Sequence, residues 1–384
     1  MKKIFEFEKD KCCYYNCNDE SIKAHAISKR ISLSVIAENN HLLYFSPKQF
    51  SKYLKKEFFK SISIHQSTIS KSFCKKHDDM FESLDRNEIS TVQDILLQSY
   101  RMVSILLNEE RSSYYSRFND SKRISKEDVI SFLKKDEKYN ELLEKLDDQI
   151  IDIVKRKIFF EIQEKISSNL SVIEDFSIYL IHLFDIGENK NKLIEINKFY
   201  AFSTDNMEYS FFIYKTDFQI PIAINTMGKL IIDNETFNYY INIIPYTNSN
   251  IIFGVIPKQL IRYDYIVNSI EQAFIDKLSV LNFVESIVVS NDGWYMQPSI
   301  INSMKEEKRN IFMKDCMFQN ERKFYEAYDL SIFDDLRKDI CLELNKTDEL
   351  EKINFIPKRE EYQDRYINML KKIEKDSITS FILD

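Results

Sequence analysis

The sequence predicts an α+β fold: a small metal-holding finger at the N-terminus, a helical middle segment, and a C-terminal antiparallel sheet with flanking helices. Three observations carry this. Four of the six cysteines and four of the five histidines fall within the first 77 residues, as Cys12-Cys13-x3-Cys17, Ala24-His25 and Cys74-x2-His77. Residues 121–170 are charged and repeat apolar side chains largely on three- and four-residue steps, the period of a helix. Residues 194–260 break into short runs rich in Ile, Tyr and Phe, punctuated by Asn, Asp, Gly and Pro, the pattern of strands separated by turns.

Length and composition bound the rest. A chain of 384 residues is too long for one core, and it divides by composition at 1–115, 116–190 and 191–384. Hydrophobic residues at 44% and aromatics at 14% can fill real cores, while 4 Gly and 6 Pro leave little for Gly-rich phosphate loops. No Walker or Rossmann fingerprint is present. The formal net charge of -7 argues against nucleic acid coating the whole surface. No run of eighteen apolar residues occurs, so no membrane span is expected. The N-terminus has two lysines with no continuous apolar segment behind them, so a secretory signal is not expected and a cytoplasmic location is. There, paired cysteines more often hold metal than form disulfides. Cys316 and Cys341 have no close cysteine neighbour and read as free thiols in helices.

The finger comes first. Two close ligand pairs far apart in sequence are what a tetrahedral zinc site needs. A treble-clef (ββα-metal-like) arrangement takes one pair from a tight knuckle and the other from the first turn of a helix. Cys74 and His77, three positions apart, share one face of a helix that continues through Met80, Phe81 and Leu84. Cys13 and Cys17 suit the knuckle; Cys12 could replace Cys13, and Cys13 is preferred. The expected Zn2+ ligands are therefore Cys13, Cys17, Cys74 and His77. His25 lies in the alternating run 22–28, read as the first strand after the knuckle. A neutral imidazole there can take a proton from water, its reference pKa being about 6.5.

Residues 46–76 hold eight lysines, Lys48, Lys52, Lys55, Lys56, Lys60, Lys71, Lys75 and Lys76, against one acid, Glu57. Phe50, Tyr53, Phe58, Phe59 and Phe73 are interleaved with them. The excess between Lys48 and Lys76 could contact the phosphate backbone of DNA or RNA. The alternative is an amphipathic helix with a solvated lysine face and its aromatics in a core.

Along the remainder, Val92, Ile95, Leu96, Met102, Val103, Leu106 and Leu107 predict a helix over 91–108 that packs on the finger. Leu143, Leu146, Ile150, Ile153 and Ile162 form the seam of a docked helical hairpin, and a further helix is expected over 172–184. The character changes at about Asn189. The runs FYAFST, YSFFIYK, IPIAINT, KLIIDN, YYINIIPY and NIIFGVIP predict about five to six strands. Helices follow over 269–278, 305–314 and 361–375. Asn291-Asp292-Gly293 reads as a turn, Trp294 as a packing anchor and Asp334-Asp335 as a solvated helix end. The C-terminal domain is a candidate surface for a protein partner.

The order of knuckle, Ala-His on a strand and Cys-x2-His-Asp at a helix start resembles the HNH (His-Me finger) nuclease superfamily. It looks closest to a group of uncharacterised bacterial proteins with an AH-x-I strand and an FC-x-x-HD-x-x-F helix start. Here that start is Phe73-Cys74-Lys75-Lys76-His77-Asp78-Asp79-Met80-Phe81, and the resemblance covers residues 12–85. It implies a structural zinc, His25 as general base, Asp78 as ligand to a catalytic Mg2+ or Mn2+, and phosphodiester hydrolysis, by analogy in bacterial defence. The chain departs from the family at Ala24, where an acid commonly precedes the base. Asp79, Glu82 and Glu38 are candidates for the missing oxygen ligand. The competing expectation is a zinc-stabilised adaptor that binds nucleic acid or protein without catalysis. Of the other histidines, His41 suits a turn or strand start, His65 could orient a substrate, and His182 reads as a core histidine on an apolar helix face.

Overall fold

A knuckle, a two-stranded ribbon and a broken helix open the chain. In the computed structural model, which describes residues 11–46, 58–121, 125–134, 139–185, 198–204, 207–233, 235–318 and 322–359, Lys11 bridges Glu20 across the knuckle. Asn16 takes the left-handed conformation at its tip, with φ 59, which asparagine tolerates better than most residues. Strand β1 (Ile22–His25) leads through a tight helical turn (Lys29–Leu33) into α1 (Ser34–Ile36). Next come β2 (His41–Phe45), β3 (Phe59–Ser63) and β4 (Ile69–Phe73). β4 returns antiparallel to β1, setting His25 opposite Ile69, and runs into α2 (Lys75–Asp78) and α3 (Glu82–Arg86).

Helix α4 (Val92–Ser121) starts on a reciprocal cap. Thr91 Oγ1 accepts from Asp94 N at 3.1 Å and Asp94 Oδ2 accepts from Thr91 N at 2.9 Å, satisfying two orphan donors at once. After α5 (Lys126–Leu133) and α6 (Asn140–Glu144), α7 (Asp148–Asp185) runs as one helix of 38 residues where the sequence suggested two. Val129, Leu133, Ile151, Val154 and Ile158 form the small core of this hairpin, with Leu143, Leu146 and Ile150 packed on its edge. Ile153, expected in the seam, is instead 65% exposed. A turn of helix places only some positions of a four-residue series inward, and here Ile151 and Val154 occupy them.

The sheet is larger than expected. Strands β5 (Lys198–Thr204), β6 (Met207–Lys215), β7 (Ile222–Ile232), β8 (Glu235–Tyr246) and β9 (Ser249–Pro257) are followed by α8 (Lys258–Ile261), α9 (Asp264–Gln272), α10 (Lys277–Ser290) and β10 (Trp294–Met296). IPIAINT and KLIIDN belong to one strand, β7. The eight-stranded order is β3-β2-β10-β7-β8-β9-β6-β5. β10 joins the two halves of the chain, Met296 pairing with both Leu43 and Ile222. The boundary drawn at 115 falls inside α4, and segments 1–115 and 191–384 share this sheet. Changes of composition mark changes of element here, not breaks between cores.

Helices cover both faces. Tyr239, Ile241 and Ile243 of β8 face one core, which takes in α10, α11 (Pro298–Asn302), α12 (Glu306–Met317) and α13 (Asp334–Glu343). Tyr240, Ile244 and Tyr246 face the other, with α4, α7 and the finger. Burial on both sides explains why these strands read as nearly continuous apolar runs instead of alternating ones. The helix expected over 269–278 is broken between α9 and α10, where Asp276 Oδ1 caps α10 by accepting from Ser279 N at 2.8 Å. The stretch 361–375 and Asn189 lie outside the described residues. Trp294 is buried as expected and stacks on Phe312. Asp334 is not merely solvated, since it accepts from buried Lys308 at 2.6 Å. A last short helix, α14 (Glu351–Asn354), follows α13. No helix among the described residues is long and apolar enough to cross a membrane.

Gly254 pairs with Phe212 across β9 and β6, and a Cβ there would sit 2.1 Å from the Phe212 ring. That ring is buried near Phe274 and Phe283. Gly254→Ala should therefore destabilise the protein by about 1–3 kcal/mol, the usual cost of overpacking. Urea unfolding checks this; an unchanged midpoint would show that the ring moves freely.

Candidate metal centre

Adjacent residues in extended chain point to opposite sides, and this decides which knuckle cysteines face the helix. The sulfurs of Cys12, Cys17 and Cys74 and a ring nitrogen of His77 all lie within 4.8 Å of one another. Cys17 Sγ is 3.9 Å from Cys74 Sγ, and His77 Nδ1 is 3.4 Å from Cys12 Sγ and 3.2 Å from Cys74 Sγ. A tetrahedron with zinc bond lengths of about 2.3 Å to sulfur and about 2.0 Å to nitrogen has edges of about 3.8 Å and about 3.5 Å. The three shortest contacts match those edges to within a few tenths of an ångström and no pair is more than 4.8 Å apart, so this Cys3His cluster can hold a metal such as zinc.

Cys13, the preferred knuckle ligand, is not in the cluster. Its thiol faces Arg111, whose Nη1 donates to it at 3.5 Å, and it lines a small cavity with Tyr100, Leu107 and Glu174. It belongs to the joint between the finger and helices α4 and α7, and Cys12 takes the metal-facing position.

The helix side of the cluster is set by backbone geometry. Cys74 stands at the N-cap of α2, its carbonyl accepting from His77 N at 3.0 Å and Asp78 N at 2.8 Å. Tyr14 stacks flat on the His77 ring, 3.9 Å between centroids, and so holds its plane. Burial pushes the Cys12 thiol up to about 12 and raises Cys17, while burial lowers His77. An ion must therefore displace thiol protons as it binds.

At the end of the ribbon away from Cys74, β1 holds His25 opposite Ile69. Its Nδ1 lies 2.9 Å from Ser67 O, and burial lowers its pKa, opposed by that bond and assisted by Lys29 and Arg101. Asp78, in the first turn of α2, has a buried Oδ1 with no hydrogen-bond partner. Burial raises its pKa, with Arg101 opposing. Both groups feel the same ion pair, Asp85 and Arg101, joined at 2.8 and 3.4 Å. Arg101 is 2% exposed and lies over the Phe81 ring. Sequence reasoning passed over it, although an arginine inside the apolar stretch 91–108 is itself a signal.

The other carboxylates considered as oxygen ligands are committed elsewhere. Asp79 pairs with Lys75, and Glu82 with Arg86. Glu38 accepts from Gln297 Nε2 at 2.8 Å and Ser299 N at 3.0 Å. Among the described residues, no second group of three His, Cys, Asp or Glu ligands converges.

Lys48, Lys52, Lys55, Lys56, Phe50 and Tyr53 lie outside the described residues. Phe58, Phe59 and Phe73 are buried in the cores, but Phe59 and Lys60 lie on β3 and Lys71 and Phe73 on β4, so the described part of the lysine segment holds strands where the alternative reading expected an amphipathic helix. His41 begins β2 beside the Asn39-Asn40 turn, its Nδ1 2.8 Å from Asn39 O. His182 is exposed on α7; its neighbours Ile181 and Leu183 supply the buried face. No protein-family model, curated protein or solved structure matches the chain.

Proposed function

We propose that residues 11–86 are a zinc-stabilised treble-clef finger bearing an HNH-like nuclease site, with His25 as general base for phosphodiester hydrolysis. The observation that carries this reading is the carbonyl anchor on His25. When Nδ1–H donates to Ser67 O, the proton of a neutral imidazole is spent there and Nε2 keeps its lone pair. Nε2 takes a proton from water as the water oxygen bonds to phosphorus and the bond to the leaving oxygen breaks. Solvent returns a proton to that oxygen. The orphaned Asp78 Oδ1 supports a cation seat, since magnesium keeps most of its waters and needs only one or two carboxylates. A divalent ion bound there supplies charge stabilisation at the phosphate.

The test is cleavage of supercoiled plasmid and of RNA with magnesium or manganese. His25→Ala should lose about 10²–10⁴-fold in rate, the range for a positioned general base, while keeping its zinc by elemental analysis. The lowered pKa of His25 sets the sign of the pH profile: the base is protonated only below the ordinary histidine range, so activity rises with pH through that point and is level at neutrality. Cleavage by His25→Ala at the wild-type rate would end the reading. An adaptor without catalysis is the second reading, favoured by the commitment of Asp79, Glu82 and Glu38; it predicts binding with no cleavage at any metal concentration.

A further inference from the structure

We propose that Lys29 and His65 form a phosphate-holding pair on the flank of His25, a seat for the phosphodiester of DNA or RNA. The placement beside a base rests on the nuclease reading above; the binding itself does not.

The segment between β3 and β4 carries both the anchor of the His25 ring and His65 itself. Ser67 O fixes His25 through Nδ1, and two residues earlier His65 Nδ1 lies 3.3 Å from Lys29 Nζ. An ammonium can only donate, so that ring nitrogen accepts, and the proton of neutral His65 sits on Nε2. The two histidines are thereby held in opposite tautomers. His25 offers a lone pair and His65 offers an N–H. Thr68, at φ 55, holds the left-handed conformation that turns this segment into β4.

Lys29 follows His25 by four residues, and its charge acts on the His25 ring. Its side-chain partner is the His65 ring, and among the described residues no ion pair with a carboxylate is found for it. An ammonium with two N–H groups to spare beside an imidazole N–H is a donor set for the two non-bridging oxygens of one phosphodiester. The bond between the two side chains lies at the exposed surface, which leaves the pair open to such a strand.

The experiment uses the full chain with its metal, in the His25→Ala background so that nothing is cut. Fluorescence anisotropy follows a labelled duplex DNA and an RNA of the same sequence across a salt titration. Lys29→Gln should weaken binding about tenfold and reduce the salt slope by about 1, as the loss of one phosphate contact does. His65→Ala should weaken binding with the slope retained, and Lys29→Arg should restore it. The arm that responds identifies the nucleic acid. Unaltered affinity and slope for both probes in Lys29→Gln, with its zinc content unchanged, would overturn the proposal. A Lys29 effect alongside undiminished cleavage by His25→Ala would instead remove the base and leave the phosphate seat standing.

Discussion

Cys74→Ser should abolish metal binding at the Cys3His cluster and unfold the ribbon and knuckle around it. Cys74 closes the cluster from the helix side, with Cys17 at 3.9 Å and His77 at 3.2 Å, and no other described donor can replace its sulfur. Zinc binding supplies on the order of 10 kcal/mol in small finger modules, more than the whole stability margin of many domains. β1 and β4 form only a two-stranded sheet, which is marginal in water without further support. Phe73, Phe81 and Tyr100 pack together in the second core, so α4 should survive while the knuckle, β1 and β4 lose protection. Hydrogen exchange resolves that difference, and elemental analysis counts the ion. The pair Cys12→Ser and Cys13→Ser is the sharper comparison. The first should lose the metal and the second keep it, because the Cys13 thiol faces Arg111. Metal lost from Cys13→Ser and kept by Cys12→Ser would reverse the ligand assignment.

The identity of the helix pair is legible in the sequence because a Cys-x2-His spacing has one geometric solution on a helix. The knuckle pair is not, since Cys12 and Cys13 differ only in which side of an extended bridge they occupy, and that depends on where α4 packs. The strands of 198–257 can be read from their turn residues, and their number, five, is within the five to six expected, but not every boundary between them. IPIAINT and KLIIDN look like two strands because Met227-Gly228 interrupts the apolar pattern, yet Gly228 marks close approach instead: a Cβ there would sit 2.0 Å from the Tyr239 ring. The joining of β2 and β3 to the sheet through β10 involves pairs such as Leu43 with Met296, whose sequence separation no local pattern records. α10 escapes a sequence reading for a different reason. Every residue from Val280 to Ser290 is buried except Asn282, so apolar side chains surround the helix on all sides and no helical period shows in its hydropathy.

Within α10, Glu285→Ala should be the most damaging change in the C-terminal half, at about 3–5 kcal/mol. The carboxylate is fully buried and satisfied on both oxygens. Oε1 accepts from Ile332 N at 2.7 Å, and Oε2 accepts from Arg337 Nη2 at 2.7 Å and Lys352 Nζ at 3.1 Å. Arg337 is itself fully buried, spending Nε on Ser331 Oγ at 3.1 Å and sharing Nη2 with Asn282. Removing Glu285 leaves that guanidinium charged in a dry interior, together with Lys352, whose pKa burial already lowers against the pull of Glu285. The effect should reach beyond α10, because the network ties it to the turn before α13 and to α14, which complete the helical layer on that face. Glu285→Gln keeps an acceptor for Ile332 N but turns an amide donor toward two cationic donors, so it should recover only part of the loss. Replacing both partners, Glu285→Leu with Arg337→Met, should recover more than either single change, since the guanidinium is then no longer stranded and Lys352 keeps Asn282 Oδ1 at 3.0 Å as an acceptor. Urea unfolding of the four proteins gives the coupling directly. A single Glu285→Ala cost below about 1 kcal/mol would mean that water reaches this site and screens the pair.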